Sequence, residues 1–317
     1  MVSGCENDTV GSVAVAENSA ILAGDGAVQE LQFRDAISLY TEAIDSGTLE
    51  SDALLGAYMK RGNAYLQDAE WNTQADSDLL AALSDASRGR ELAPDLSDAI
   101  DLEATVYQLL GAYPEALALF QRSYEVDNSD PFWSLINIGE TYRMMGDYET
   151  ALRYYNHLLE RPDIEPGMAI YYHRGLTFFV SGRYSEAIDS LNNGVRYQRD
   201  YTFAYIYRAC AYARIGDYRQ AIRDYDFALV RWRREEPQYG HTTYWKTVLD
   251  RLVVELSASR ALSNGAMPVV APTSFCEEFN SYARKRERSA LLPPASGTPT
   301  ILDFDKVIGK QRGSAPG

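Results

Sequence analysis

The sequence of 317 residues lacks the long apolar runs and paired cysteines that would define a membrane or disulfide-rich protein. No run of 18 apolar residues occurs, so no transmembrane helix is expected. No secretory signal with a basic start and an apolar stretch is visible. The three cysteines, Cys5, Cys210 and Cys276, are odd in number and far apart, which predicts neither a disulfide framework nor a metal site. Cys210 lies in an apolar helical context, where a free cysteine behaves as a small hydrophobic residue.

Catalytic motifs are also missing. The sequence has no glycine-rich phosphate loop, no nucleophile elbow and no His-Glu-x-x-His helix. The three histidines, His157, His173 and His241, do not have the spacing of metal ligands. We therefore predict no catalytic residue, no cofactor and no bound metal. An enzyme that uses His173 and Cys210 is the remaining catalytic alternative.

Basic residues are scarce in the first third of the chain. Residues 1–104 carry 20 acidic and 5 basic side chains, and the formal net charge of the whole chain is −15. Such a surface repels phosphates, so a nucleic-acid partner is not expected. The basic cluster at residues 284–288 is interpreted as a solvated helix end.

The first residues are compatible with two cellular locations of the protein. Val2-Ser3-Gly4-Cys5 resembles a bacterial lipoprotein cleavage box, although the preceding hydrophobic segment is missing. If a longer precursor with a signal peptide exists, lipidated Cys5 would tether the chain outside the bacterial cytoplasm, and this lipid would be its only membrane attachment. If the match is a chance one at a flexible terminus, the chain as shown is expected to be cytoplasmic.

One sequence motif occurs four times. Gly146-Asp-Tyr-Glu-Thr-Ala-Leu-Arg-Tyr-Tyr has counterparts that begin at Gly111, Gly182 and Gly216. The alanines of the four copies follow one another at nearly equal intervals and are Ala116, Ala151, Ala187 and Ala221. A period of about 34 residues is typical of a stacked array of helical hairpins.

The array has predicted limits. Residues 1–15 are expected to be a flexible N-terminal segment, and helical periodicity supports six hairpins over residues 16–234. An apolar helical stripe predicts a capping helix over residues 238–262. Residues 263–317 are predicted to be a Pro/Ser/Gly-rich tail with a short helix over 275–292. The predicted fold is an all-α solenoid of six hairpins, a C-terminal capping helix and a flexible tail.

The pattern resembles the tetratricopeptide repeat family. The repeats that carry Gly139–Ala151 and Ala209–Ala221 match its positions for small and aromatic residues most fully. Gly146, Gly182 and Gly216 are predicted to end the first helix of their repeats in a left-handed conformation. The resemblance implies a right-handed superhelix and a non-catalytic scaffold or adaptor that binds a protein segment in its concave groove.

The resemblance also implies which residues line the groove. These are the residues at the family's concave positions on the first helix of each repeat: Met59, Asn63, Asp101, Thr105, Trp133, Ile136, Glu140, Arg143, Tyr172, Leu176, Phe179, Phe203, Ile206, Cys210 and Arg214. One groove type of this family clamps a terminal carboxylate with basic side chains and asparagines. Asn63 fits that pattern, but Asp101 stands where a basic residue is needed, so such a clamp is not expected.

The groove is predicted to be acidic toward the N-terminus and apolar toward the C-terminus. A peptide with apolar anchors and basic residues would complement it. The alternative occupant is the chain's own tail, with Ile301, Leu302, Phe304 and Val307 as anchors, and a mainly architectural role is also open. If Cys5 is lipidated, the array would instead recruit envelope enzymes as a lipid-anchored assembly factor.

Overall fold

The computed structural model describes residues 8–69, 76–126, 132–239, 243–266 and 301–312. These residues form helices joined by short turns, without a strand in the described ranges. The helices are α1 (Asp8–Gln29), α2 (Phe33–Asp45), α3 (Ser51–Asp68), α4 (Asp76–Leu92), α5 (Ser97–Leu109), α6 (Tyr113–Val126), α7 (Phe132–Met145), α8 (Tyr148–Glu160), α9 (Met168–Val180), α10 (Tyr184–Tyr197), α11 (Thr202–Arg214), α12 (Tyr218–Tyr239), α13 (Thr243–Ser263) and α14 (Phe304–Arg312).

The chain divides into two structural units, residues 1–110 and residues 111–317. In the first unit α1 to α5 pack on one another in chain order, and α3 also touches α5. In the second unit α6 to α13 pack in chain order, and α9 also touches α7 and α11. We call α3, α5, α7, α9 and α11 the A helices, and we call α4, α6, α8, α10 and α12 the B helices. The predicted all-α repeat arrangement is confirmed.

The repeated glycines end the A helices as predicted. Gly146, Gly182 and Gly216 have φ of 87°, 81° and 84°. After α7, the Gly146 N–H donates to the Arg143 carbonyl and the Asp147 N–H donates to the Tyr142 carbonyl. This is the Schellman pattern, which satisfies carbonyls at a helix end. The turns at the other two glycines have the same hydrogen bonds, so all three repeats share this turn.

Small residues allow the two helices of a repeat to approach closely. Ala116, Ala151, Ala187 and Ala221 are completely buried. A Cβ built on Gly139 would lie 2.8 Å from the ring of Tyr155. The repeated glycine and alanine positions are therefore needed for hairpin packing.

The last part of the array is longer than a standard repeat. Helix α12 extends to Tyr239, and α13 packs against it through a face that includes the buried Leu252 and Leu256. The predicted tail helix at 275–292 lies outside the described residues. Within the tail, α14 packs on α8. Over the described part of the chain, no helix combines the length and apolar character needed to cross a bilayer.

The cysteine prediction needs one correction. Cys210 is disulfide-bonded, whereas its apolar context predicted a free thiol. Its Sγ also accepts a hydrogen bond from the Tyr225 hydroxyl at 3.2 Å, and only 4% of the residue is exposed. Cys5 and Cys276, the other cysteines, lie outside the described residues.

Candidate functional site

The structure divides the predicted groove residues into buried and accessible ones. Six of them expose between 0% and 6% of their surface, namely Ile136, Arg143, Leu176, Phe179, Ile206 and Cys210. These side chains face neighbouring helices, so they offer little surface to a partner. The others keep accessible surface: Met59, Asn63, Asp101, Thr105, Trp133, Glu140, Tyr172, Phe203 and Arg214.

Four accessible residues meet in one pocket of the first unit. Met59 and Asn63 on α3 face Asp101 and Thr105 on α5 across a pocket of about 520 Å³. Local hydrogen bonds order the walls, because the Asn63 side-chain amide donates to the Met59 carbonyl and the Thr105 hydroxyl donates to the Asp101 carbonyl. The remaining lining residues are Asp52, Leu55, Gly56, Leu66, Leu96, Asp98 and Leu102.

The charge of this pocket is negative. Asp52, Asp98 and Asp101 contribute carboxylates, and none of its eleven lining residues is basic. The two cations of α3 are engaged elsewhere. Lys60 lies 2.6 Å from Asp25, and Arg61 binds both carboxylate oxygens of Asp85 at 2.8 Å. The pocket therefore combines an apolar floor with a negative field that attracts a cationic side chain.

The second unit carries a charged cluster on its A helices. Arg143 donates to Glu140 Oε1 at 2.8 Å, and His173 Nδ1 lies 3.6 Å from Glu140 Oε2. The Arg143 side chain is 7% exposed and that of Glu140 is 27% exposed. This cluster is therefore largely shielded from water. Shielding strengthens the attraction within an ion pair, but it also makes a charge costly if its partner is removed.

Burial and neighbouring charges set the pKa values in this cluster. Burial raises the pKa of the Glu140 carboxyl, but attraction by the protonated form of His173 and by Arg143 outweighs it, and the net pKa is lowered. Burial lowers the pKa of His173, with Glu140 opposing and Arg143 adding to that shift. His173 is therefore neutral at pH 7, which makes Glu140 and Arg143 the charged pair.

Aromatic side chains surround the cluster. Tyr172 makes edge contacts with Tyr201 at 5.1 Å and Tyr207 at 6.0 Å between ring centroids. Burial raises the pKa of Tyr201 to about 12, so its hydroxyl remains protonated at neutral pH. Farther along, Phe203 packs on Trp232 at 5.5 Å. Tyr172 and Phe203 therefore pack against other aromatic rings. Trp133, in contrast, is 56% exposed.

Sequence reasoning missed several pocket residues. Asp52, Leu55 and Leu66 lie on the same stripe of α3 as Met59 and Asn63. Their positions differ by three, four and seven residues, the spacing that places side chains on one helix face. That periodicity was the available signal. The pairing of Glu140 with His173 had no such signal, because it joins two helices.

The described part of the tail does not lie in the A-helix groove, where the sequence offered it as an alternative occupant. Leu302 and Phe304 contact Gln121 of α6 and Tyr154 of α8, which are on B helices. The predicted A-helix groove is therefore not where the described tail residues bind. The physical reason is a buried glutamine on α6 that pairs with tail backbone, which apolar anchor patterns do not reveal.

The described geometry defines a helical repeat protein built from paired A and B helices. Two sequence models of the tetratricopeptide repeat match residues 99–162 and 136–199. Residues 99–199 of the chain therefore carry repeats that match the tetratricopeptide repeat family. Stacked repeats of this kind create extended concave surfaces, which repeat proteins use for binding.

Individual proteins resemble parts of the chain. Serine/threonine-protein phosphatase 5 of Mus musculus is 32% identical over 81 residues, which cover 25% of this chain and 16% of the phosphatase. Tetratricopeptide repeat protein 13 of Homo sapiens is 29% identical over 170 residues, which cover 53% of this chain and 19% of that protein. The chain thus spans less than a fifth of the length of these relatives.

Two solved structures also resemble the chain. A tetratricopeptide repeat protein from Parabacteroides merdae is 15% identical, with a TM-score of 0.49, and the match covers 77% of this chain and 98% of that one. The pilF protein of Pseudomonas aeruginosa is 17% identical, with a TM-score of 0.47, and the match covers 73% and 98% of the two chains.

Proposed function

We propose that this protein is a non-catalytic adaptor that binds a linear protein segment on its A helices, with a basic side chain of the partner in the acidic pocket between α3 and α5. The observation that carries the proposal is the lining of that pocket. Its three aspartates are accompanied by apolar side chains and by no basic lining residue.

The size and composition of the pocket suit one basic side chain and its neighbours. The volume of about 520 Å³ falls in the range of ligand-binding clefts. Apolar residues of the partner would pack on Leu55, Met59 and Leu96, of which Leu96 is 37% exposed. A cation would then pair with Asp52 and Asp98 at the rim, both of which are exposed. Apolar contacts would supply affinity, and charge would supply selectivity.

A non-catalytic role is supported by the surroundings of the two residues in the catalytic alternative. His173 is paired with Glu140. Cys210 is disulfide-bonded and accepts a hydrogen bond from Tyr225. Neither residue is arranged as half of a nucleophile–base pair with the other.

The lipid-anchored alternative depends on Cys5, which lies outside the described residues. It predicts a diacylglyceryl group on that cysteine, detectable by mass spectrometry of the protein isolated from its native source. An unmodified Cys5 would remove the recruitment role at an envelope.

Two labelled peptides test the pocket. One contains alternating leucine and lysine, and the other contains leucine and glutamate at the same positions. We expect the full-length chain to bind the lysine peptide at least tenfold more tightly, with affinity that falls as salt is added. The double variant Asp52→Asn/Asp98→Asn should lose most of that preference.

Asp45→Asn is the matched control, because Asp45 is exposed on α2 and does not line the pocket. It lowers the negative charge without altering the pocket. The loss of lysine-peptide affinity is compared for each negative charge removed. If that loss were the same for Asp45→Asn as for the double variant, net charge alone would explain the preference, and the pocket assignment would fail.

A further inference from the structure

A short stretch of the tail is seated on the B helices of the second unit. It comprises residues 301–308, and we call the surface that holds it the B-face site. This surface is formed by Gln121 on α6 with Arg153, Tyr154 and His157 on α8. Residues 267–300 connect the described end of the array to the seated stretch.

The strongest specific contact is made to backbone. The Gln121 side-chain amide donates from Nε2 to the Leu302 carbonyl at 2.7 Å, and its Oε1 accepts from the Leu302 N–H at 2.8 Å. Both hydrogen-bonding groups of one peptide residue are satisfied by one side chain, as they are in a pair of β-strands. Gln121 is only 3% exposed. A buried amide of this kind is costly to leave unpaired, so the site is built to receive extended backbone.

An aromatic anchor follows two residues later. The ring of Phe304 meets that of Tyr154 edge to face, with centroids 4.8 Å apart, and also contacts His157. The Arg153 guanidinium lies 4.2 Å from the Phe304 ring centroid. Aromatic and cation–π contacts of this geometry each favour an aromatic side chain over an aliphatic one.

Acidic residues flank the anchor. The Asp303 carboxylate accepts a hydrogen bond from the Lys306 N–H at 2.9 Å, and so caps the start of α14. Asp305 lies 2.9 Å from Arg153, an exposed pair that contributes little affinity but disfavours a basic residue at that position. The next apolar residues, Val307 and Ile308, are buried, with 2% and 8% of their surface exposed. The segment thus switches from extended backbone to a capped helix while it lies on the site.

We propose that the B-face site is a peptide-recognition site in its own right, separate from the A-helix pocket. It recognises an aliphatic residue in extended backbone followed by Asp-Phe-Asp at a helix start, and the chain fills it in cis with residues 301–308. A partner protein carrying a segment of the same chemistry exchanges with the tail. Its preference for acidic neighbours is opposite to that of the pocket between α3 and α5.

Tethering explains why a free peptide would compete poorly with the tail. A ligand attached through a flexible linker has an effective concentration on the order of millimolar. An outside segment with equal contacts must exceed that concentration, or the tail must be weakened. Removing anchors from the tail therefore exposes the intrinsic affinity of the site.

The probe is a fluorescein-labelled synthetic peptide of residues 300–312, added to full-length protein. Three hosts are compared by fluorescence anisotropy: wild type, Phe304→Ala/Val307→Ala, and that double variant with Gln121→Leu added. We expect the double variant to bind the peptide at least tenfold more tightly than wild type. The Gln121→Leu host should lose that gain while circular dichroism shows an unchanged helical content.

Two further variants, made in the double-variant host, separate specific recognition from general charge. Arg153→Ala should weaken the peptide several-fold. Arg183→Ala is the matched control, because Arg183 makes the same kind of contact, 4.5 Å from the ring centroid of Phe178, and its ion pairs are with Glu149 and Glu186. It should leave the peptide affinity unchanged. A peptide with alanine in place of Phe304 should not bind the vacated host.

Three results would overturn the proposal. Equal binding by wild type and the double variant would show that the tail does not fill the site. Absence of binding to the folded double variant would show that the contacts are an ordinary part of the fold and do not form a peptide-recognition site. A wild-type dimer that Phe304→Ala/Val307→Ala converts to monomer, measured by light scattering, would assign the segment to a second copy and refute occupation in cis.

Discussion

Replacing Gly175 with alanine tests whether close helix approach is what the repeated small residues provide. Gly175 lies in the middle of α9, opposite α10. A Cβ at this position would lie 2.7 Å from Leu191 Cγ, 2.9 Å from its Cδ2 and 3.4 Å from the Ala187 carbonyl oxygen. Leu191 is completely buried, and because protein interiors are close-packed we expect it to have little room to move.

Two effects of opposite sign determine the stability change. Alanine in a helix interior is favoured over glycine by about 1 kcal/mol. Forcing an extra methyl group into a well-packed core costs about 1–3 kcal/mol. Because the built Cβ falls below 3.0 Å from two atoms of a buried side chain, we place the cost toward the upper part of that range. The net expectation for Gly175→Ala is a loss of about 1–2 kcal/mol, the difference between the two effects.

The matched control is Gly56→Ala in the interior of α3. A Cβ there would meet no atom within 4 Å, so only the helix preference remains. We expect a gain of about 0.5–1 kcal/mol from this variant. Urea unfolding followed by circular dichroism measures both changes, with wild type as reference. A Gly175→Ala protein as stable as Gly56→Ala would refute the close-approach argument.

Two more predictions concern the charged cluster on α7 and α9. Glu140→Gln should destabilise the fold by about 1–3 kcal/mol, because it deprives the buried Arg143 of its charged partner. Glu186→Gln, which breaks a pair of the same i,i+3 spacing with the half-exposed Arg183, should leave the unfolding free energy nearly unchanged, because exposed ion pairs contribute little. Equal losses in urea titrations would contradict the role given to burial. The lowered pKa of His173 means that the unfolded chain binds its proton more readily, so this residue's contribution to stability is complete above about pH 6.5 and is lost as pH falls below it. His173→Gln should therefore flatten the fall in unfolding free energy between pH 7.5 and 5.5, and an unchanged slope would show that other groups cause it.

The two proposed binding surfaces differ in the chemistry of the ligand that each would recognise. The pocket between α3 and α5 offers carboxylates and apolar side chains. The B-face site offers a buried amide, an aromatic ring and a guanidinium. A partner suited to one surface carries the wrong charge for the other, so variants at Asp98 and at Gln121 should affect different ligands.

The sequence by itself determined the repeat and its turns. A period of about 34 residues placed each hairpin. Gly146, Gly182 and Gly216 marked left-handed turns that the structure has. Ala151 and its counterparts were predicted as packing residues and are buried. These features were readable because they depend on local backbone geometry and on contacts within one hairpin, which recur with the period.

Only the tertiary structure decided which predicted groove residues reach the surface and where the tail lies. Ile136 and Ile206 occupy helix positions that the family pattern assigns to the groove, yet neighbouring helices bury them. Gln121 gives no sign in the sequence that it will hold the Leu302 backbone, because 181 positions separate the two residues. Burial and pairing over such distances depend on how whole helices stack, and a pattern of spacing along the chain does not contain that information.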